Sequence, residues 1–224
     1  MAGGPRVLDT RDLLLLTAEK LLGERGINGV SLREITRAAG QRNASALHYH
    51  FGSREGMIEA IFEKRMMMMD RQRLAMIEDI ERTRELELRD IANVIARPIA
   101  EMITRSDGSA AYVRFLTEMF LSKDYNVEDF VRGRMDSSLH RMYEHVRRVL
   151  PDLPENILRQ RYVMLIRTVS FTFADMDSHR QRMAAKGKPF DVQRSVENFC
   201  DMWMAAISAP VGDQTMELDS ACAA

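Results

Sequence analysis

Apolar residues recur at intervals of three and four along most of the chain, and no stretch beyond a few residues follows the two-residue alternation of a half-buried strand. The pattern predicts an all-α fold. A first helix is expected over about Thr10 to Arg25, with Leu14, Ala18, Leu21 and Leu22 on one face and Gly26 as its stop. A short second helix opens at Ser31-Leu32-Arg33-Glu34. This is a capping box, in which hydroxyl and carboxylate satisfy each other's otherwise orphaned backbone donors, and the helix ends at Gly40. A third, from Ala44 to Tyr49, closes at Phe51-Gly52. Ser53 then caps a long helix that runs through Phe62 and the Met66 to Met69 cluster to about Ile80. Further helices are expected over 87–104, bent near Pro98, then over 108–123, 126–150, 154–184 with Pro154 in its first turn, and 191–208 opened by Asp191. From Pro210 the composition turns polar and acidic, so residues 211–224 are expected to be a disordered tail. The division that follows is a head of residues 1–55 and a body of residues 56–210.

The head carries the most distinctive chemistry. Two short helices joined by a tight turn at Gly40 make a helix-turn-helix, a unit that presents a short helix rigidly enough to enter a major groove. Leu32, Ile35, Ala39, Leu47 and Phe51 form its inner set, packing on Leu21, Leu22 and Ile58. Arg42, Asn43, Ser45, Ala46, His48, Tyr49 and His50 are left to point mostly outward. The formal net charge of −1 does not suggest a nucleic-acid binder, and residues 1–65 carry only ten Arg or Lys against eight acids. Position decides the matter. Between Glu34 and Glu55 lie twenty residues without an acid, and they include Arg37, Arg42, His48, His50 and Arg54. Such a surface suits the negative potential of a phosphate backbone.

The run Gly29-Val30-Ser31-Leu32-Arg33-Glu34-Ile35, then Ala39-Gly40, then Leu47-His48-Tyr49-His50-Phe51-Gly52-Ser53-Arg54-Glu55-Gly56-Met57-Ile58 resembles the DNA-binding head of the TetR family of repressors, over about residues 10–62. The resemblance makes Leu47 to Phe51 the C-terminal part of the recognition helix. It implies that Arg54 stands where the family has a phosphate-gripping Lys, and that Ser31 and Arg33 match contacts made by the second helix on the flanking strand. The chain departs from the common Leu-Tyr-x-His-Phe pattern in having His48 where Tyr is usual, and it is one residue longer between Gly40 and Leu47. Arg42 and Asn43 are expected at base edges, because Arg pairs bidentately with guanine and Asn with adenine. Ser45 suits either a base or a phosphate, and His48, Tyr49 and His50 suit phosphates.

Two helices of the body are apolar on two sides. One carries Leu158, Tyr162, Leu165, Ile166, Val169, Phe173 and Met176, with a second stripe at Ile157, Met164 and Phe171. The other carries Val192, Val196, Phe199, Trp203 and Ile207, with Met202 and Met204 displaced. A helix apolar on two faces needs two partners. Pairing of Leu158, Leu165, Val169, Val196, Phe199 and Trp203 across a two-fold axis is therefore expected, in a four-helix interface that is also the usual dimer of the resembled family. A homodimer of that kind predicts a pseudo-palindromic double-stranded DNA operator, with half-sites about one turn (~34 Å) or somewhat more apart. The 17 methionines concentrate in the body, and Met suits adaptable apolar cavities. Met102, Phe115, Met119, Phe120, Tyr162 and Phe171 are candidate pocket residues, with Arg167 and Thr168 for polar orientation. A lipid-like, steroid-like or acyl-chain effector fits that lining. The resemblance implies that such a ligand shifts the spacing of two heads.

The remaining features narrow the field. Cys200 and Cys222 lie far from other metal ligands, and His48 and His50, two apart on a helix, point about 200° apart, so neither zinc nor another cofactor is expected. Lacking a signal sequence and a long apolar run, the chain is expected to be soluble and cytoplasmic, without a membrane partner. No nucleophile with an adjacent base, no paired carboxylates and no phosphate-cradling glycine loop stand out, so an enzyme is not expected. The alternative reading is a helical apolar-ligand-binding protein that does not bind DNA.

Overall fold

The computed structural model describes residues 9–41, 45–127 and 137–222, and these residues hold ten α-helices and no strand. They are α1 (Thr10–Arg25), α2 (Leu32–Ala38), α3 (Ser45–Phe51), α4 (Arg54–Glu81), α5 (Leu88–Thr104), α6 (Ala110–Leu121), α7 (Ser137–Val149), α8 (Glu155–Ala185), α9 (Val192–Ser208) and α10 (Asp213–Cys222), with a 3-10 turn at Ile27–Gly29. Among the described residues no helix is long and apolar enough to cross a membrane.

Local chemistry accounts for most of the boundaries. Asp9 caps α1 by accepting from the Asp12 N–H at 2.7 Å, Ser31 and Glu34 form the full capping box of α2, and Asp191 caps α9 by accepting from the Arg194 N–H. Ser53 Oγ accepts from the Gly56 N–H at 3.1 Å at the start of α4. The C-terminal carbonyls of α9 receive a long side chain: Arg161 donates to Ile207, Ala209 and Pro210, matching a cation to the negative end of the helix dipole. Residues 213–222 depart from the disordered tail expected over 211–224. Asp213 lies in the first turn of α10, where a carboxylate is favoured, and Asp219 accepts a hydrogen bond from Asn156 of α8, so the acidic composition supports a helix.

The chain forms two compact units that do not follow chain order. The first comprises residues 1–68 with 105–135, and the second residues 69–104 with 136–224. A sequential head of residues 1–55 is thus too short for the first unit, because α6 packs against α1. Gly23 is what lets the two helices approach: a Cβ there would stand 2.2 Å from the Ala111 carbonyl oxygen. Leu14, Leu15, Ala18 and Leu22 of α1, and Tyr112, Phe115 and Met119 of α6, are all buried. A buried ion pair joins the same unit. Arg65 grips Glu19 through Nε and Nη2 at 2.8 and 2.7 Å, and its Nη1 reaches Ser109 Oγ at 3.5 Å. Burial alone would lower the Arg65 pKa, but the hydrogen bonds and charge of Glu19 hold it above the usual value.

In the second unit α5 is the central helix, buried at ten positions from Ile91 to Ile103, and α7, α8 and α9 pack on it. Pro98 sits inside this helix. Phe173 of α8 meets Phe199 of α9 edge-on, with centroids 5.3 Å apart, beside the fully enclosed Trp203. Polar ties run round this core: Arg97 donates to Glu197 at 2.8 Å, and Glu81 accepts from Arg141 and His145.

Candidate nucleic-acid interface

The turn between α2 and α3 is set by one glycine. The Gly40 N–H donates to the Arg37 carbonyl and the Gln41 N–H to the Thr36 carbonyl, both at 3.0 Å. That paired closure needs a left-handed residue, and Gly40 has φ +70°, which a side chain would strain. Beneath it Ile35, Ala39, Leu47 and Ile58 are buried, as the apolar pattern predicts, while Leu32 and Phe51 are half-buried. Arg11 of α1 lies over the Phe51 ring, 5.3 Å from its centroid.

On the outer side of α3, Ser45, His48 and Tyr49 are exposed, and His50 is half-exposed. Tyr49 leaves 86% of its surface in solvent, with its ring edge-on to His50 at 5.1 Å. The His48 ring is fixed by its neighbour: Nδ1 lies 2.7 Å from the Gly52 carbonyl oxygen, which can only accept, so Nδ1 carries a proton and donates. Its Nε2 is thereby left for other contacts. Arg42 and Asn43, expected at base edges, lie outside the described residues.

Ser31 and Arg33 are exposed on α2, but the Ser31 hydroxyl is engaged. It accepts from the Glu34 N–H and donates to the Glu34 carboxylate at 2.8 Å. The two acids that bracket the acid-free stretch are thus held at helix starts. The Ser31 N–H, and then its hydroxyl, hold the Glu34 carboxyl below the usual range, and Glu55 is held down by its own backbone N–H and by Ser53. Arg54, expected as a phosphate grip, points elsewhere: Nη1 donates to the Val30 carbonyl at 2.7 Å and Nη2 to the Ile27 carbonyl. Sequence reasoning missed this contact, for it spans 24 and 27 residues and leaves no periodic signal.

The interface and pocket residues expected in the body are sorted differently from the sequence reading. Leu158, Val169, Val196, Phe199 and Trp203, expected to face a second subunit, are buried within their own chain, and Leu165 is half-buried. The outward apolar residues are Val163, Met164 and Phe171 on α8 and Met202 on α9, with Met164 61% and Met202 63% exposed. The candidate pocket residues come from both units. Phe115, Met119 and the half-buried Phe120 belong to the first unit, while Met102, Tyr162, Arg167, Thr168 and Phe171 belong to the second. Tyr162 is buried, with its hydroxyl donating to the Leu139 carbonyl at 2.7 Å. Burial raises its pKa, while Arg167, Thr168 and Phe171 are exposed on the outer side of α8.

A short, outward-facing helix carried on a capped partner across a left-handed glycine turn defines a helix-turn-helix regulator. Residues 14–61 match the family model of bacterial regulatory proteins, tetR family, and residues 93–206 match the model of the tetracyclin repressor-like C-terminal domain. The chain belongs to the TetR family of transcriptional regulators. Among solved structures it is similar to a TetR-family transcription regulator from Shewanella sp. PV-4, with TM-score 0.59 and 14% identity over 88% of this chain and 96% of that one. It is similar also to the fatty acid degradation regulator FadR from Bacillus halodurans, with TM-score 0.59 and 14% identity over 89% and 97%. A third is FadR from Bacillus subtilis in complex with stearoyl-CoA, with TM-score 0.50 and 13% identity over 87% and 97%. No curated protein sequence matches the chain.

Proposed function

We propose that the chain is a repressor that binds a pseudo-palindromic operator as a homodimer and is released by a small apolar ligand. The observation that carries the reading is Tyr49, an aromatic ring standing almost wholly in water on a short helix within twenty acid-free residues. Exposing so large an apolar surface on a rigid mount is favourable when a partner covers it. In the complex α3 lies in the major groove. Arg42, Asn43 and Ser45 read base edges, and Tyr49, His50 and the outward Nε2 of His48 contact phosphates. Arg33 reaches the flanking strand, beside Ser31 at the start of α2.

The dimer face is formed by Val163, Met164 and Phe171 of α8 with Met202, Ala205 and Ala206 of α9, all exposed in the single chain. The effector belongs to the acyl-chain or similarly apolar class. Support comes from the Met-rich interior and, at the level of fold, from the likeness to a regulator crystallised with stearoyl-CoA. A coupling of about 1–3 kcal/mol between the ligand and DNA sites changes operator affinity roughly 5- to 150-fold, which is enough for induction.

The test is selection of bound duplexes from a random pool, followed by release with fatty acids, acyl-CoAs and steroids. An enriched inverted repeat, bound less tightly by Tyr49→Ala by about ten-fold or more with unchanged melting, supports the reading. A pool with no enriched repeat, or binding indifferent to salt, overturns it in favour of a ligand carrier that does not engage DNA.

A further inference from the structure

Arg54 is the first residue of α4, yet its guanidinium faces back into the head. The two carbonyls it holds, of Ile27 and Val30, bracket the turn Ile27–Gly29 that joins α1 to α2, and the second immediately precedes the Ser31 cap. Tyr125, in the segment that follows α6, lies within electrostatic reach of the same guanidinium and of Glu55. Arginine has only donors, so both carbonyls accept. One planar fork therefore joins three pieces of the first unit: the start of α4, the turn after α1 and the start of α2. The Tyr125 hydroxyl is itself part-buried. Burial, and then the Glu55 charge, raise its pKa, so it stays protonated at neutral pH.

We infer that Arg54 is a positioning residue for DNA reading, fixing the α2–α3 pair on α4 through the Ile27 and Val30 carbonyls, and that Tyr125 ties the segment after α6 to the same joint. The inference rests on the DNA-reading function proposed above. A lysine cannot do this work, because an ammonium is a point donor that cannot span carbonyls on two sides of a turn. For gripping a phosphate, however, a lysine serves as well as an arginine. The two roles therefore separate cleanly by substitution.

The test uses the full-length protein with its selected operator, the variants Arg54→Lys, Arg54→Gln and Tyr125→Phe, and affinity measured between about 50 and 200 mM salt. Positioning predicts that Arg54→Lys weakens binding about ten-fold and Tyr125→Phe several-fold, while the slope of log affinity against log salt stays at the wild-type value in all three. If Arg54→Gln instead lowers that slope by about 0.9 and Arg54→Lys restores it, Arg54 is a phosphate contact and the inference is wrong. A second readout needs no DNA. Amide hydrogen exchange over residues 27–35 of the free protein is expected to quicken in Arg54→Lys and Tyr125→Phe while the amides of α5 keep their protection. Unchanged exchange at 27–35 overturns the inference. Should the wild-type protein enrich no operator, the DNA-reading proposal fails by itself and the exchange experiment still decides whether the clamp exists.

Discussion

Glu19 and Arg65 are the most consequential ionic pair in the first unit, with side chains only 6% and 11% exposed. Removing one partner leaves a buried charge, so Glu19→Ala is expected to lower stability by about 3 kcal/mol, read as a fall in the urea midpoint at unchanged slope. Glu34 predicts a pH dependence. Its carboxyl titrates below its ordinary value of 4.5 in the folded chain, so the stabilisation is fully present above that pH and is lost as pH falls through the lower folded value. The stability gap between wild type and Glu34→Gln is expected to stay constant from neutral pH to about 4.5 and to narrow below it; a constant gap throughout contradicts the assignment. Residues whose partners lie within one helical turn were legible from sequence: the Ser31–Glu34 box and the Asp191 cap both follow from spacing. Arg54 was not, since a side chain that reaches back across two helices resembles a surface cation in a one-dimensional pattern.

For whole helices the pattern predicted existence and extent better than facing. The spacing predicts a fourth helix to about Ile80 and the structure ends it at Glu81, and the expected bounds of α8 and α9 differ from the observed ones by about a residue. Which stripe turns inward was not encoded in the same way. On α8 both candidate stripes are apolar, and the richer one, with Leu158, Val169 and Phe173, is taken by α5 and α9 of its own chain, leaving Met164 and Phe171 outside. An intrachain core claims the larger apolar surface, because burying it requires no second molecule. The contrast yields a paired prediction. Met164→Glu combined with Met202→Glu is expected to give a folded monomer by sedimentation at unchanged melting temperature, whereas Trp203→Ala, deep in the core, is expected to cost about 3–5 kcal/mol. Equal loss of fold in both sets argues against a dimer face on these helices.

At the scale of the molecule, the resemblance in the head pointed to the family, but not to the way residues 105–135 join the first unit. That association depends on contacts between segments some ninety residues apart in sequence, among them the close approach that Gly23 allows to Ala111. Gly23→Val is expected to push α6 off α1, because the added Cβ meets rigid backbone and not a movable side chain. Its expected signature is faster amide exchange in both helices together. The composition of the tail also misled, since acidity at a helix start is as compatible with order as with fraying.

The join between α1 and α6 has an evolutionary and engineering corollary. A reading module that could be shuffled between regulators by a single crossover has to be contiguous in the gene, and this one is not: its covering helix is encoded after a segment that belongs elsewhere. Hybrids that graft only residues 1–68 onto another regulator's body inherit an α1 whose Gly23 flank, closed by Ala111 in this chain, is left bare, and should aggregate. Hybrids that carry residues 105–135 as well should remain monodisperse, so recombination among relatives is expected to respect two seams and not one.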